Sequence, residues 1–314
     1  MLTAAEVQEA AQGLRGVAVR TPLRYVSAPL DAWLKLENLQ PVGAFKIRGA
    51  YNAVRRLPYA VRKRGVITYS SGNHGQALAF AGKEFGVRTV VVMPETAPAI
   101  KVDGVKKWGG EVVFAGRTSE DRQRKAEEIA ADEGLAIVPP FDHWDIVAGQ
   151  ATVGLEIAEE LPEARAVVVP VGGGGLISGV VAGLAAAGSA AMVWGVEPAG
   201  APKLKRSLEA GAPARLEATA SIADGLITLT VGAIPFTVLQ AHRDRVGGVV
   251  LVADDSIRDA VHFLHHCCDL SIEPSGAATT AALRSGALDP PRPAVLIVSG
   301  GNVDPALFAN PGSA

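Results

Sequence analysis

LENLQPVGAFKIRGA, Leu36 to Ala50, is the stretch whose reading decides the fold and much of the chemistry of this chain. The apolar run Ala32 to Leu36 reads as a strand, Pro41 and Gly43 make a loop, and Lys46 opens a helical pattern through Ala50, Ala53 and Val54. A lysine at a strand-to-helix junction, directly after Ala44 and Phe45, is partly desolvated. Burial disfavours the ammonium form, lowers the pKa and frees the amine for a Schiff base or for proton abstraction. Taken alone, the same residue also reads as a first-turn helix lysine with its stem on Phe45 and its charge in water. The rest of the chain must separate the two readings.

Outward from Lys46, the pattern alternates. Strand-like runs at Val66 to Thr68, Val87 to Met93, Glu111 to Phe114, Leu135 to Val138, Ala166 to Val169, Met192 to Val196, Val249 to Val252 and Ala294 to Val298 are separated by helix-like stretches. This predicts an α/β fold of two doubly wound lobes with largely parallel sheets. A composition change at Pro139 to Trp144 and a second crossing near Gly49 divide the chain into a large domain, 1–48 with 144–314, and a small domain, 49–143. A site between lobes is lined by both and can close on a substrate.

Bulk properties exclude several classes. With 314 residues, 48% of them hydrophobic, the chain can bury a large core, and a net charge of -2 gives no case for nucleic acid. Ala166 to Val196 carries no charged residue over 31 positions, but its eight glycines and Pro170 split it into a buried strand, a glycine loop and a buried helix, so no membrane span is expected. The start, MLTAAEVQEAAQG, reads as an acidic amphipathic helix with a capping box at Thr3 and Glu6, not as a secretory signal. Adjacent Cys267 and Cys268 suit a reducing compartment, so the expected location is cytoplasmic. In HFLHHCC, His262 and His266 lie one helical turn apart without a third ligand at zinc spacing. They read as the exposed side of a helix that buries Phe263, Leu264 and Cys267.

Three further stretches carry chemistry. TYSSGNHGQALAFAG, Thr68 to Gly82, runs from a strand through a Ser-Ser-Gly-Asn turn into a helix. Free N–H groups at that helix start, beside Ser71 and Asn73, suit a carboxylate or phosphate, although an ordinary N-cap would use one of these residues as well. In VVVPVGGGGLISGVVAGL, Gly172, Gly173, Gly174 and Gly175 join a strand to a helix, and their N–H groups can wrap a phosphate with help from the helix dipole. Against the dinucleotide pattern GxGxxG the third position is Ser178, while Glu197 lies 22 residues beyond Gly175, which weakens a nicotinamide-binding oxidoreductase without removing it. No Gly-Lys-Ser/Thr follows, so the turn is not a P-loop. Ser299, in VSGGNVD, stands at a strand's carboxyl end, where open α/β sheets place ligands, and SIEPSGAAT (Ser271 to Thr279) adds another glycine-containing turn.

Taken together and in order, FKIRGA around Lys46, SSGNHGQ from Ser70, GGGG from Gly172, EPSGA from Glu273 and SGGN from Ser299 span nearly the whole chain. They resemble the fold-type II pyridoxal-phosphate enzymes, in the branch of threonine/serine dehydratase (threonine ammonia-lyase) and serine racemase. The resemblance implies pyridoxal 5'-phosphate in Schiff-base linkage to Lys46, with Phe45 and Asn73 holding the pyridine ring and its hydroxyl. It implies further that Gly172 to Gly175 with Leu176 hold the phosphate and that Ser299 bonds the ring nitrogen. Ser71, Gly72, Asn73 and His74 would bind the carboxylate of a small-molecule amino acid, with Ser71 on the face opposite the lysine, where the racemase exchanges a proton. A serine at the ring nitrogen leaves it unprotonated, a weaker electron sink that favours elimination. The implied reaction is dehydrative deamination of a β-hydroxy amino acid such as L-threonine or L-serine, with serine racemisation as the alternative. A homodimer is also implied, and no regulatory domain is expected after Asp304. Ala44 stands where the family commonly has serine, a difference of packing. Lys203 stands six positions after Glu197, where cation-binding members carry an acid, so no divalent metal site is expected and the Lys203 ammonium is free to pair with Glu197. Thr228 and Arg122 are candidates to face the substrate side chain.

Overall fold

Val167, Val168 and Val169 show why the strands read as unbroken apolar runs. In the computed structural model, which describes residues 2–70 and 72–304, Val168 packs into one hydrophobic core and its two neighbours into another on the opposite face. Side chains alternate along a strand, so one covered on both faces needs an apolar residue at every position. Leu296 and Val298 against Val295 and Ile297 repeat the division. Each such side chain contributes roughly 1.5–3 kcal/mol on full burial.

The strands are β1 (Leu23–Val26), β2 (Ala32–Leu36), β3 (Val66–Tyr69), β4 (Thr89–Met93), β5 (Glu111–Phe114), β6 (Ala136–Ile137), β7 (Ala166–Pro170), β8 (Met192–Pro198), β9 (Val246–Val252) and β10 (Ala294–Val298). Six of them form one sheet in the order β1-β2-β10-β7-β8-β9, parallel except where β1 runs against β2. The other four form a wholly parallel sheet, β5-β4-β3-β6. The chain therefore leaves the first sheet after β2, builds the second and returns at β7. Helices Trp144–Glu160 and Gly175–Ala186 cover one face of the larger sheet, and Asp254–Cys268 with Pro274–Arg284 cover the other.

The uncharged stretch from Ala166 resolves into β7, the glycine turn, a 12-residue helix and β8. No helix among the described residues is long and apolar enough to cross a membrane. The capping box of Thr3 with Glu6 is formed. One expectation is corrected: Cys268 is the buried cysteine and Cys267 is exposed.

A buried charge network fixes the helix Lys46–Arg56. The Arg48 guanidinium donates through Nε and Nη2 to both oxygens of Glu37 at 2.8 Å and through Nη1 to Glu156 at 2.6 Å. Lys35 pairs with Glu156 at 2.8 Å, and the Thr21 hydroxyl donates to Glu37 at 2.6 Å. Desolvation pushes the Glu37 carboxyl up, but the charge and hydrogen bonds of Arg48 outweigh it and hold the group below its ordinary range.

Candidate active site

The loop ahead of Lys46 is stitched to the end of β10. Phe45 N–H donates to Ser299 O at 3.1 Å, Gly301 N–H donates to Gly43 O at 2.9 Å, and Ala44 bridges Gly300. Asn302 Nδ2 donates to Val42 O and to Asn73 Oδ1, both at 2.9 Å. Asn73 Nδ2 in turn donates to the Glu273 carboxylate. The motifs around Lys46, Asn73, Glu273 and Ser299, far apart in sequence, thus meet through a few hydrogen bonds.

Lys46 keeps some exposure as a residue, but its amine donates inward to Pro140 O at 2.8 Å and lies 5.3 Å from the Phe45 ring centroid. Desolvation lowers its pKa to about 8, against the opposing pull of the Glu273 charge. The reading of Lys46 as an ordinary solvated lysine is therefore excluded. Glu273 is itself buried; desolvation raises it to about 7, with Asp224 adding to the rise and Lys101, the Asn73 hydrogen bond and Lys46 opposing it. His74 is buried with Nε2 3.1 Å from Val138 O and, among the described residues, with no partner on Nδ1. Desolvation, then the Lys46 charge, lower it to about 3. The imidazole is neutral, and since a carbonyl only accepts, its partner assigns the proton to Nε2 and leaves the Nδ1 lone pair free.

The glycine turn packs too closely for side chains. A β-carbon at Gly172 would lie 2.6 Å from Gly225 O, and one at Gly173 would strike the Phe141 ring. At Gly174, φ is +90° and a β-carbon would meet Val231 at 2.9 Å, so both backbone and space require glycine. Gly173 O accepts from Gly232 N–H at 3.0 Å, and Leu176 is buried just beyond the turn. Pro140 and Phe141 connect this turn to Lys46, the first through its carbonyl and the second through its ring.

At the start of helix Asn73–Phe85, Gly72 N–H donates to Ser70 Oγ at 3.1 Å, while the first-turn N–H groups have no intrahelical partner. Ser71 lies outside the described residues. A β-carbon at Gly72 would lie 2.6 Å from Lys101 Cδ, and the Lys101 ammonium pairs with Asp224. Lys101 sits on the helix Ala99–Lys107 between β4 and β5, Asp224 in the turn Asp224–Leu226 after β8, so this pair links the two sheets' segments.

Of the sequence candidates, Phe45 bonds Ser299 through the backbone, Asn73 is tied to the loop ahead of Lys46 through Asn302, Gly172 to Gly175 approach Lys46 through Phe141 and Pro140, and Gly72 and His74 flank Asn73 in sequence. Arg122 instead donates to Ser119 Oγ at 2.9 Å and to Arg117 O at the start of its own helix. The buried Thr228 hydroxyl has no hydrogen-bond partner among the described residues. Sequence reasoning missed Glu273, Lys101, Asp224 and Phe141 as parts of this region. Glu273 left a signal, since it is the one charged residue in SIEPSGAAT, whereas the Lys101 and Asp224 partnership has no local trace.

These residues fit a phosphorylated aromatic aldehyde. The turn offers backbone N–H groups where no β-carbon fits, the amine has its pKa lowered to about 8, the Phe45 ring lies beside it, and Asn73 and Ser299 are tied to the loop that carries it.

The comparisons with known proteins agree. The profile of the family described as "Pyridoxal-phosphate dependent enzyme" matches residues 15–300. The L-threonine ammonia-lyase of Thermotoga maritima is 37% identical over 309 residues, covering 97% of this chain and 76% of that protein. The L-threo-3-hydroxyaspartate ammonia-lyase of Pseudomonas sp is 36% identical over 312 residues, 97% of each. The solved structure of maize serine racemase superposes with a TM-score of 0.90 at 34% identity, over 98% of this chain and 95% of that one. The glycine turn is therefore no nicotinamide site, and this α/β chain belongs to the pyridoxal-phosphate dependent enzymes of fold type II.

Proposed function

We propose that the protein catalyses the β-elimination of water from a β-hydroxy amino acid such as L-threonine or L-serine, giving a 2-oxo acid and ammonia. The observation that carries this is the buried Lys46 amine, with its pKa lowered to about 8, at the junction of the four motifs. Pyridoxal 5'-phosphate, when bound, supplies an electron sink for negative charge developing at the substrate α-carbon. Gly172 to Gly175 and Leu176 would hold its phosphate on backbone N–H groups, with Phe45 and Asn73 holding the ring and its hydroxyl and Ser299 bonding the ring nitrogen. Gly72, Asn73 and His74, with Ser71, hold the substrate carboxylate at the helix start. His74 takes part through its backbone N–H, because its one ring N–H points to Val138 O and an Nδ1 lone pair cannot donate to a carboxylate.

Lys46 takes the α-proton as general base, which a pKa near 8 suits at neutral pH. The β-hydroxyl leaves as water, and hydrolysis of the C=N bond takes up one water, so the net products are the 2-oxo acid and ammonia. The lobes are 1–48 with 144–314 and 49–143, and Lys101 with Asp224 draws them together over the site. A homodimer in the cytosol is the accompanying assignment, supported by family membership; light scattering after size exclusion tests the assembly.

The wild-type protein is expected to form 2-oxo acid from at least one of L-threonine, L-serine and 3-hydroxyaspartate. Lys46→Ala is expected to lose at least about 10³-fold in rate, the scale of a combined base and covalent anchor. Unchanged turnover in that variant overturns the mechanism. Accumulation of D-serine without pyruvate overturns elimination in favour of racemisation.

A further inference from the structure

Lys203 is another enclosed ammonium, on the other side of the glycine turn from Lys46. Its Nζ lies 2.9 Å from Val171 O, 3.0 Å from Glu197 Oε1, 3.2 Å from Ala201 O and 2.9 Å from Leu226 O. Lys203 and Glu197 are both 0% exposed. All four neighbours are acceptors, and a neutral amine would aim its lone pair at one of them, so only the ammonium satisfies the cage. Glu197 also accepts from Leu204 N–H at 2.8 Å and Lys205 N–H at 3.0 Å, which fixes the carboxylate.

The carbonyls come from segments that shape the phosphate cradle. Val171 directly precedes Gly172, and Leu226 closes the turn Asp224–Leu226, whose Gly225 carbonyl packs on Gly172. Ser275 Oγ, accepting from Gly225 N–H at 2.9 Å, ties that turn back to Glu273. A carboxylate and three carbonyl oxygens around one charge are the donor set of a bound hard cation. Here a divalent ion does not fit, because the chain's own cation fills the centre. Among the described residues no three His, Cys, Asp or Glu side chains converge as a metal site.

We propose that Lys203 is a tethered cation that positions the phosphate turn, doing in the chain itself what a diffusible cation would do from solution. The proposal rests on the reading that Gly172 to Gly175 hold the cofactor phosphate. Lys203 touches neither substrate nor phosphate; it acts by drawing Val171, Glu197, Ala201 and Leu226 onto one point. Cofactor retention is then indifferent to the cations present. Removing the amine leaves an oxygen cage with a net negative charge, which a diffusible cation fills.

The test follows retention of bound-cofactor absorbance and the cofactor dissociation constant. Wild-type holoenzyme dialysed against chelator in tetramethylammonium chloride, whose cation is too large for the cage, is expected to bind as it does in potassium, ammonium or magnesium chloride. Lys203→Ala is expected to bind roughly tenfold more weakly in tetramethylammonium chloride, a usual size for coupling between a remote contact and a ligand. One of the smaller cations is expected to restore it. Lys203→Met combined with Glu197→Gln removes both charges at similar volume, a change that buried ion pairs commonly tolerate. This double variant is expected to fold, hold cofactor weakly and respond to no cation. Wild-type binding that needs an added cation, weak binding in Lys203→Ala that no cation repairs, or wild-type affinity in either variant overturns the proposal. Should Lys203→Ala fail to fold in every salt, the double variant decides alone. A wild-type protein that takes up no cofactor overturns the proposed function as well, whereas the other failures leave that function standing.

Discussion

Two lysines open helices in this chain, Lys46 at the head of Lys46–Arg56 and Lys203 at the head of Lys203–Ala210. Desolvation lowers the pKa of both. Lys203 is met by four acceptor oxygens, one of them on a carboxylate 3.0 Å away, and works as a charge. Among the described residues Lys46 is met by the single carbonyl of Pro140, with Glu273 acting only through space, and works as an amine. What separates a structural lysine from a reactive one here is the number of oxygens around it, since burial is common to both. Arg48, two residues from Lys46, belongs with Lys203: it is buried and fully paired, with Glu37 and Glu156.

The largest expected effect on stability comes from breaking a paired cation. Arg48→Met leaves Glu37 buried without its partner, and the loss of one member of a buried pair costs about 3–5 kcal/mol. Denaturant unfolding of the apo-protein is expected to show a midpoint lowered to match. An unchanged midpoint would mean that the pairing around Arg48 does not distinguish it from Lys46.

The unpaired cation is expected to behave in the opposite way. A lysine whose folded pKa falls from 10.5 to about 8 binds fewer protons folded than unfolded between those values, so wild-type stability rises with pH across that window. Below pH 8 the fold carries the whole cost of the buried charge, up to about 3 kcal/mol for a shift of this size. Lys46→Met should therefore stabilise the apo-protein at pH 7 while abolishing turnover. The gain should fade between pH 8 and 10.5, and Tm measured against pH in both proteins checks it.

Much of this was legible in the sequence, and the reason is local. Lys46, the four glycines and the Ser-Gly-Asn turn each sit where a strand ends and a helix begins, so residue order alone exposes them. β1 was harder to see, because Leu23–Val26 is a short antiparallel edge strand with two polar members and no apolar run. The cysteine pair was misassigned by one position, and one residue turns a helix by about 100°, enough to exchange buried for exposed. The expected pairing of Lys203 with Glu197 is formed, but its three carbonyl partners left no trace in the side-chain pattern. Glu273 was visible as a motif residue and invisible as a buried acid, since its burial comes from packing against the end of β10 and against Asn73.

Glu273 gives the smallest and most discriminating test, because it is the one carboxylate acting on Lys46. Its pKa rises from 4.5 to about 7, so the folded state binds more protons than the unfolded state between those values and wild-type stability falls as pH climbs through that window. Glu273→Gln keeps an acceptor for Asn73 and removes the titration. The variant should match wild type near pH 4.5 and gain about 2–3 kcal/mol by pH 7, a figure that already includes the attraction of the charged carboxylate to Lys101 and Lys46. Without that opposing charge the Lys46 pKa should fall further, moving the labelling of the apo-protein by an amine-selective reagent to lower pH. A labelling profile that stays in place would show that Glu273 does not act on the amine, and Lys46 would then owe its pKa to burial alone.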